Sequence, residues 1–389
     1  MPIKYVRKLS PATLRNKIVL LRVDLNVKSG DLGDAYRLQA IIPTLKFLKR
    51  AHANIIILSH RGRPKGPEPS LSLKPFAKLL SKKLNSPIVF FNQPINQLTK
   101  LTKKPINQIN QKTNQPINQT IILLENLRFD PREETNDKHF AKELASLGDI
   151  YVNDAFAVSH RANASVAAIT KFLPSYAGLL LEKEIKNLQK VMLGYKKPLI
   201  LIVGGEKVED KAGILKYFLT KADYILLGGG VANTFLKAKG NNIRGSIFDA
   251  EADVRPLLKR KNIILPEDDI WKDKKILDIG PRTSARYAEI IEKAKTIIWG
   301  GPMGKYEEQG YGKGTKTIWQ AILENKKSFS VIGGGETIGS LKLIRTKPHT
   351  LVSACRPGRA SGLFLSTGGG AMLEFLSSKK LPGIEALKK

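Results

Sequence analysis

Cysteine is nearly absent from this 389-residue chain: Cys355 stands alone. An internal disulfide and a disulfide-stapled scaffold are therefore excluded. No apolar run approaches the ~20 residues of a membrane span. The opening MPIKYVRK has charge but no apolar stretch behind it, so no secretory signal is expected. HExxH and paired CxxC spacings are missing and the five histidines are scattered, which argues against a zinc site. His52 and His139 on helix-like stretches and His349 in a loop read as structural or solvated, and Cys355 as a plain thiol. Neither GxxxxGK[ST] nor GxGxxG occurs, which argues against a P-loop NTPase and a standard dinucleotide fold. Acidic residues are scarce, 34 against 65 basic ones, so the net charge is +31. That excess suits polyanionic partners or a solvated lysine-rich surface. Aromatics, at 7% and not interleaved with basic residues, give little support to a nucleic-acid-binding protein.

What is present is an alternation. Short β-branched or leucine-rich runs recur at 18–27, 54–60, 87–91, 121–129 and 150–156. A second series follows at 198–205, 223–230, 262–266, 296–301, 329–335 and 363–370. Nearly continuous apolar runs predict strands buried on both faces of a parallel sheet. Amphipathic stretches at 38–51, 137–148 and 316–327 predict helices between them. The expected fold is α/β: two doubly wound Rossmann-like domains with parallel sheets, joined by a long helix. The expected boundaries are 1–175, a connecting helix over 176–195, 196–376, and a C-terminal segment 377–389. Residues 92–119 stand apart: PINQ occurs at 94–97, 105–108 and 116–119. Three proline-broken copies are too few for a solenoid and read as a low-complexity insertion.

Ligands of doubly wound sheets bind beyond the carboxyl ends of the strands. In the first half those ends carry Asp24, Asn26, His60, Arg61, Arg63, Arg128, Asn153 and Asp154, with Arg161 just beyond and Arg37 at a helix start. Guanidinium forks suit carboxylate and phosphate oxygens. The second half carries glycine instead, at 204–205, 228–230, 300–301, 333–335 and 368–370. Such turns let backbone N–H groups approach a phosphate at a helix N-terminus. Lys207 and Lys211, four apart, are expected on one helical face beyond the 198–205 strand. Glu336 and Glu307 are the candidate carboxylates for magnesium.

The strings LLRVDLNV (20–27), SHRGRPKG (59–66), LLENLRF (123–129), YVNDAFAVSHRANAS (151–165), AGLLLEKEI (177–185), GGEKVEDK (204–211), GGGVANTFLK (228–237), GPMG (301–304), GGGET (333–337) and STGGGAMLEFL (366–376) resemble the phosphoglycerate kinase family. They stand in the family's order and cover nearly the whole chain outside 92–119. The resemblance implies a glycolytic enzyme of the cytoplasm. It implies reversible phosphoryl transfer between 1,3-bisphosphoglycerate plus ADP and 3-phosphoglycerate plus ATP, with Mg2+, in line and after hinge-bending closure. A phosphoglycerate-binding N-terminal domain would carry Asp24, Asn26, Arg37, His60, Arg63, Arg128 and Arg161. A nucleotide-binding C-terminal domain would carry Lys207 and Lys211 at the phosphates. Gly228, Gly229, Gly230 and Gly280 would border the adenosine and Glu307 the ribose. Gly333, Gly334, Gly335, Glu336 and Thr337 would complete the nucleotide site, with Glu336 near the metal. Arg37, Lys207, Lys211, Gly369 and Gly370 would stabilise the group in transit. The C-terminal segment would return to the N-terminal domain.

Some positions depart from the family pattern. Glu336 replaces an aspartate, Gly300 an asparagine, Arg61 a leucine, Asn163 a histidine and Tyr36 a threonine. Glu206 replaces a small residue beside Lys207. Gly300 and Glu336 suggest an inactive scaffold of the same fold as a competing reading. The enzyme reading leads, with a monomer, no membrane association and weak polyanion binding outside the active site expected.

Overall fold

The computed structural model describes residues 2–27, 32–92, 120–344 and 362–388. The three PINQ copies, His349 and Cys355 lie outside the described residues. The chain divides into two compact units. One comprises Met1–Ser29, Arg37–Ile185 and Lys380–Lys389, the other Gly30–Tyr36 and Lys186–Lys379.

The first unit holds a six-stranded sheet of β1 (Ile18–Arg22), β2 (Asn54–Leu58), β3 (Val89–Phe91), β4 (Ile121–Leu124), β5 (Ile150–Asn153) and β6 (Ser175–Ala177). Its order is β3-β4-β2-β1-β5-β6 and every pairing is parallel. Leu20 of the central β1 stands opposite both Ile56 and Tyr151. Val19, Leu20 and Leu21 are wholly buried, as a strand covered on both faces requires. Chain order reverses beside β1, which connects to β2 on one side while its other neighbour, β5, connects to β6 away from it, the kind of position at which doubly wound sheets bind ligands.

The second unit repeats the plan. Strands β7 (Leu199–Val203), β8 (Tyr224–Leu227), β9 (Ile263–Ile264), β12 (Thr296–Gly300), β13 (Phe329–Gly333) and β14 (Leu363–Ser366) form a parallel sheet in the order β14-β13-β12-β7-β8-β9. Ile298 pairs with Leu201 on one side and Val331 on the other. Trp299 and Trp319 meet edge to face beneath it, with 4.8 Å between ring centres. Their indole N–H groups donate to the Gly301 carbonyl at 2.7 Å and to Ser340 Oγ at 2.8 Å, so neither leaves a buried donor unpaired.

The expected parallel α/β architecture is present in both units, with two local expectations corrected and one element unforeseen. The stretch 38–51 forms the end of one helix, Leu32–Ala40, and a second, Ile42–Arg50, because Pro43 has no N–H for the preceding turn. The helix expected over 176–195 runs only Leu179–Gly194; Ser175–Ala177 joins the sheet as β6. An antiparallel hairpin, β10 (Asp269–Lys272) and β11 (Lys275–Ile279), was not foreseen. Its two-residue turn takes positive φ at both Asp273 and Lys274, a conformation usually announced by Asn-Gly or Asp-Gly. In the first unit, Gly383 donates its N–H to the Ser159 carbonyl at 2.8 Å and accepts from Asn153 Nδ2 at 3.4 Å. Among the described residues no helix is long and apolar enough to cross a membrane.

Helix Leu179–Gly194 starts at a buried acid. Asp154 Oδ1 accepts the N–H groups of Leu180 at 2.8 Å and Leu181 at 3.1 Å, two of the donors a helix start leaves open. Only glycine fits at 178: a Cβ there would stand 2.2 Å from Asp154 Oδ1. Asp154 Oδ2 is buried with no hydrogen-bond partner among the described residues. Burial pushes this carboxyl up to about 7, against the opposing pull of Thr44 and the two N–H groups. A folded-state value above the ordinary ~3.9 makes the linked stability full below pH ~3.9 and lost as pH rises through the folded value. Asp154→Asn removes that charge. Its melting temperature relative to the wild type is expected to climb from pH ~4 to about 7 and then level off. Thermal denaturation at stepped pH reads this; a constant difference would remove Asp154 from the pH dependence.

Candidate active site

In the first unit, the loops after β1, β2, β4 and β5 converge on His60. This side chain is buried, and four guanidinium groups act on it: those of Arg22, Arg128, Arg161 and Arg37. Burial first, then these charges, hold its imidazole well below the ordinary histidine range. Arg22 Nη2 lies 3.1 Å from His60 Nδ1. Arg128 is buried; its Nη1 donates to the Gly62 carbonyl at 2.6 Å and its Nε pairs with Glu134 at 3.1 Å. Arg37 is half-buried and reaches the Asn26 carbonyl with Nη1 at 3.4 Å. Arg161, also half-buried, donates from Nε to His160 Nε2 at 3.3 Å. Asn26 Oδ1 accepts from Gly62 N–H at 2.9 Å, and buried Asp24 accepts from Asn26 N–H at 3.0 Å. Arg63 is exposed on the same loop. This much positive charge around a buried imidazole has the chemistry that suits a small polyanion.

Several residues that shape this pocket were not singled out from the sequence. Asn126 is a hub: its Oδ1 accepts from the N–H groups of Arg61 at 3.2 Å and Arg128 at 3.1 Å, and its amide donates to the Arg61 carbonyl at 2.7 Å. Arg22, Ser165 and Glu133 form a buried chain behind His60. Arg22 sits inside an apolar run, and a charge in a fully buried strand was the available signal. Arg61, a departure from the family pattern, turns away to the Ser70 carbonyl at 3.0 Å and stacks over Phe76.

In the second unit, all five glycine clusters do fall at the carboxyl edge of the sheet, but several are already engaged. Gly204 N–H donates to the Gly300 carbonyl and Gly205 N–H to the Pro302 carbonyl, both at 3.0 Å. Gly228 and Gly229 donate to the carbonyls of Val203 and Met303. A Cβ on Gly204 would stand 2.0 Å from the Pro302 oxygen, and one on Gly230 2.4 Å from the Glu206 oxygen. These glycines let two loops interlock; as phosphate cradles they are short of free donors, which corrects that part of the expectation. Gly280 likewise packs against Asp268. Gly333 packs under Met372, and Thr337 is buried with its Oγ1 accepting from Gly301 N–H at 2.8 Å.

The remaining edge is open. Lys207 precedes helix Glu209–Phe218 and is exposed, so it does not share a helical face with Lys211. Lys211 is within that helix and half-buried; desolvation lowers its pKa against the carboxylates of Asp210 and Glu336. Glu336 is exposed in the first turn of helix Gly335–Gly339, next to Gly334 and Gly335, and Glu307 is exposed in the turn after β12. Gly369 and Gly370 open helix Gly369–Leu376, whose first N–H groups have no intrahelical acceptor. A Cβ on Gly370 would meet nothing within 4 Å. A Cβ on Gly300 would stand 3.3 Å from Leu373 Cδ2 and 3.9 Å from both the Gly333 carbonyl oxygen and Met372 Cε, so Leu373 would have to give slightly. Among the described residues no three acidic, histidine or cysteine side chains are grouped to hold a metal ion.

Comparison with known proteins identifies the family. The family model for phosphoglycerate kinase matches residues 9–379. A phosphoglycerate kinase of Dictyoglomus turgidum is 38% identical over 413 aligned positions, covering 99% of both chains. One from Koribacter versatilis is 40% identical, covering 96% of this chain and 97% of its own. Solved phosphoglycerate kinases from Coxiella burnetii and Pyrococcus horikoshii superpose with TM-scores of 0.75 and 0.79 at 34% and 28% identity. The former covers 100% of this chain and 99% of its own, the latter 99% and 98%. The protein is an α/β phosphotransferase built on two parallel sheets. It belongs to the phosphoglycerate kinase family. Its reaction is the reversible phosphoryl transfer between 1,3-bisphosphoglycerate plus ADP and 3-phosphoglycerate plus ATP.

The interlocked loops carry a direct test. Gly204→Ala is expected to lower stability by about 1–3 kcal/mol through overpacking against backbone that cannot swing aside. Denaturant unfolding measures it, and an unchanged midpoint would show that the loops at 204 and 302 are not held together.

Proposed function

We propose that the arginine pocket around His60 binds the phosphoglycerate and that the glycine edge of the second unit binds the nucleotide. The observation that carries this is the pocket itself: Arg22, Arg37, Arg128 and Arg161 acting on a buried imidazole. Arg37, Arg63, Arg128 and Arg161 would meet carboxylate and phosphate oxygens, with Asp24 and Asn26 fixing the loop and the hydroxyl end. Gly228, Gly229, Gly230 and Gly280 would border the base, Glu307 the ribose, and Lys207, Lys211 and Gly333–Thr337 the phosphate chain. Phosphoryl transfer asks little covalent work of the protein, and positioning and charge stabilisation dominate. The acceptor is already anionic in either direction, so no general base is required. Arg37, Lys211 and the N–H groups of Gly369 and Gly370 would spread over the equatorial oxygens. In-line transfer with water excluded implies that the units close on bound substrates. Small-angle scattering would read this as the largest compaction with both ligands present.

The donor set fits Mg2+ held mainly by the nucleotide. One carboxylate, Glu336, stands at a helix start, and magnesium typically takes one or two carboxylates plus phosphate oxygens. Bound there, the ion would neutralise phosphate charge. The absence of grouped acids among the described residues suits this arrangement better than a dedicated protein cage. A cytoplasmic monomer is the reading that suits this chemistry and the single cysteine. The +31 surface suits weak polyanion binding that falls steeply as salt rises.

A coupled assay of ATP consumption with 3-phosphoglycerate tests the function. Arg37→Ala is expected to lower kcat far more than it raises KM; the reverse would make Arg37 a ground-state binder. Gly370→Ala is expected to lower kcat by about tenfold or more by crowding the transferred group. The same change should leave the melting temperature unchanged or higher, since alanine favours a helix and the protein leaves room. Full activity in Gly370→Ala would place the phosphoryl group elsewhere.

Glu336→Ala should weaken calorimetric binding of Mg-ATP much more than of metal-free ATP. Equal losses would remove Glu336 from the metal.

A further inference from the structure

Arginine has five N–H donors and no acceptor. Arg22 Nη2 lies 3.1 Å from His60 Nδ1, and both side chains are 1% exposed. A partner that can only donate obliges Nδ1 to be the lone-pair nitrogen, and the ring proton then belongs on Nε2. A proton on Nδ1 would set two donors against each other. An imidazolium would add a fifth positive charge beside Arg22 of β1, Arg37 of helix Leu32–Ala40, Arg128 after β4 and Arg161 after β5.

Arg22 is itself held from behind. Its Nε donates to Ser165 Oγ at 2.9 Å, and Nη1 donates to the Val23 carbonyl. Ser165 Oγ donates onward to Glu133 Oε1 at 2.6 Å, and Ser165 N–H donates to Oε2 at 2.9 Å. Glu133 is also buried, with Oε1 4.0 Å from Arg22 Nη2. Its own carbonyl accepts from Ala164 N–H at 2.9 Å, and Tyr151 donates its hydroxyl to the Ser165 carbonyl at 2.7 Å. The chain of carboxylate, hydroxyl, guanidinium and imidazole is hydrogen-bonded at each link.

We propose that Glu133, Ser165 and Arg22 are positioning residues that fix His60 as a neutral imidazole with its proton on Nε2, so that it offers substrate a neutral N–H donor and not a cation. This rests on the reading of the arginine pocket as the phosphoglycerate site. Charge for the anion comes from the arginines, and His60 supplies direction. Its contribution then does not switch on by protonation as pH falls through the ordinary histidine range of about 6–7. Burial and the four arginine charges act in the same sense.

Nitrogen-15 NMR of the histidine-labelled enzyme reads the tautomer without substrate. In the wild type, Nδ1 of His60 should give the signal of an unprotonated ring nitrogen and Nε2 that of a protonated one, throughout pH 5–8. Ser165→Ala and Arg22→Met should each produce a mixture of tautomers, and Glu133→Gln serves if either folds poorly. A protonated Nδ1 in the wild type, or an unchanged tautomer in every folded variant, overturns the proposal. Steady-state kinetics separates the underlying reading. Glu133→Gln and Ser165→Ala should raise KM for 3-phosphoglycerate about tenfold, the factor of one charge-assisted hydrogen bond, with KM for ATP unmoved. A changed tautomer with unchanged KM for 3-phosphoglycerate would leave the positioning chain intact and move the substrate away from His60.

Discussion

Like charges gathered around a buried imidazole repel one another, and the first unit is organised around containing that repulsion. The guanidinium groups of Arg22 and Arg128 are withdrawn from water almost completely. Each is tolerated because its donors are spent on carbonyls and on acids set behind: Val23, Ser165 and Glu133 for one, Gly62 and Glu134 for the other. Arg37 and Arg161 keep part of their surface open. The result is a cluster with fixed backing, and donors held in this way are oriented before any anion arrives. Asn126 joins the loops after β2 and β4, tying the backbone at Arg61 to that at Arg128.

The second unit solves a different problem with almost no charge. Its sheet edge brings loops so close that side chains are excluded at Gly204 and Gly230. Further backbone donors lie at helix starts, above all Gly369–Gly370, and Lys211 is a partly desolvated cation at the same edge. One unit offers guanidinium forks and the other backbone amides. That division matches a reaction whose two substrates differ in size and whose transferred group must be released by one side to the other.

Much of this was legible in the sequence. The eleven apolar runs all contain strands, because parallel strands buried on both faces leave a continuous apolar trace. The ordering of arginine and glycine on separate sheet edges was readable for the same reason. Local geometry was not. Helix Glu209–Phe218 begins two residues after Lys207, so spacing alone misplaced that lysine. The hairpin β10–β11 turns on Asp-Lys, which carries no turn signature. The glycines at 204–205 and 228–229 looked like phosphate cradles because sequence cannot say whether an N–H faces a ligand or a neighbouring loop. Glu133 and Ser165 are ordinary residues in polar stretches, and only the fold brings them to Arg22.

The docking of Gly383 onto Ser159 and Asn153 has a consequence for synthesis. Domains generally fold as units while the chain emerges, N-terminal portions first. Here the first unit includes Lys380–Lys389, which leave the ribosome after every residue of the second unit. The second unit can therefore reach its final contacts while the first still lacks part of its own. The residues that wait longest for a partner are Asn153 and Ser159, the latter two positions before Arg161.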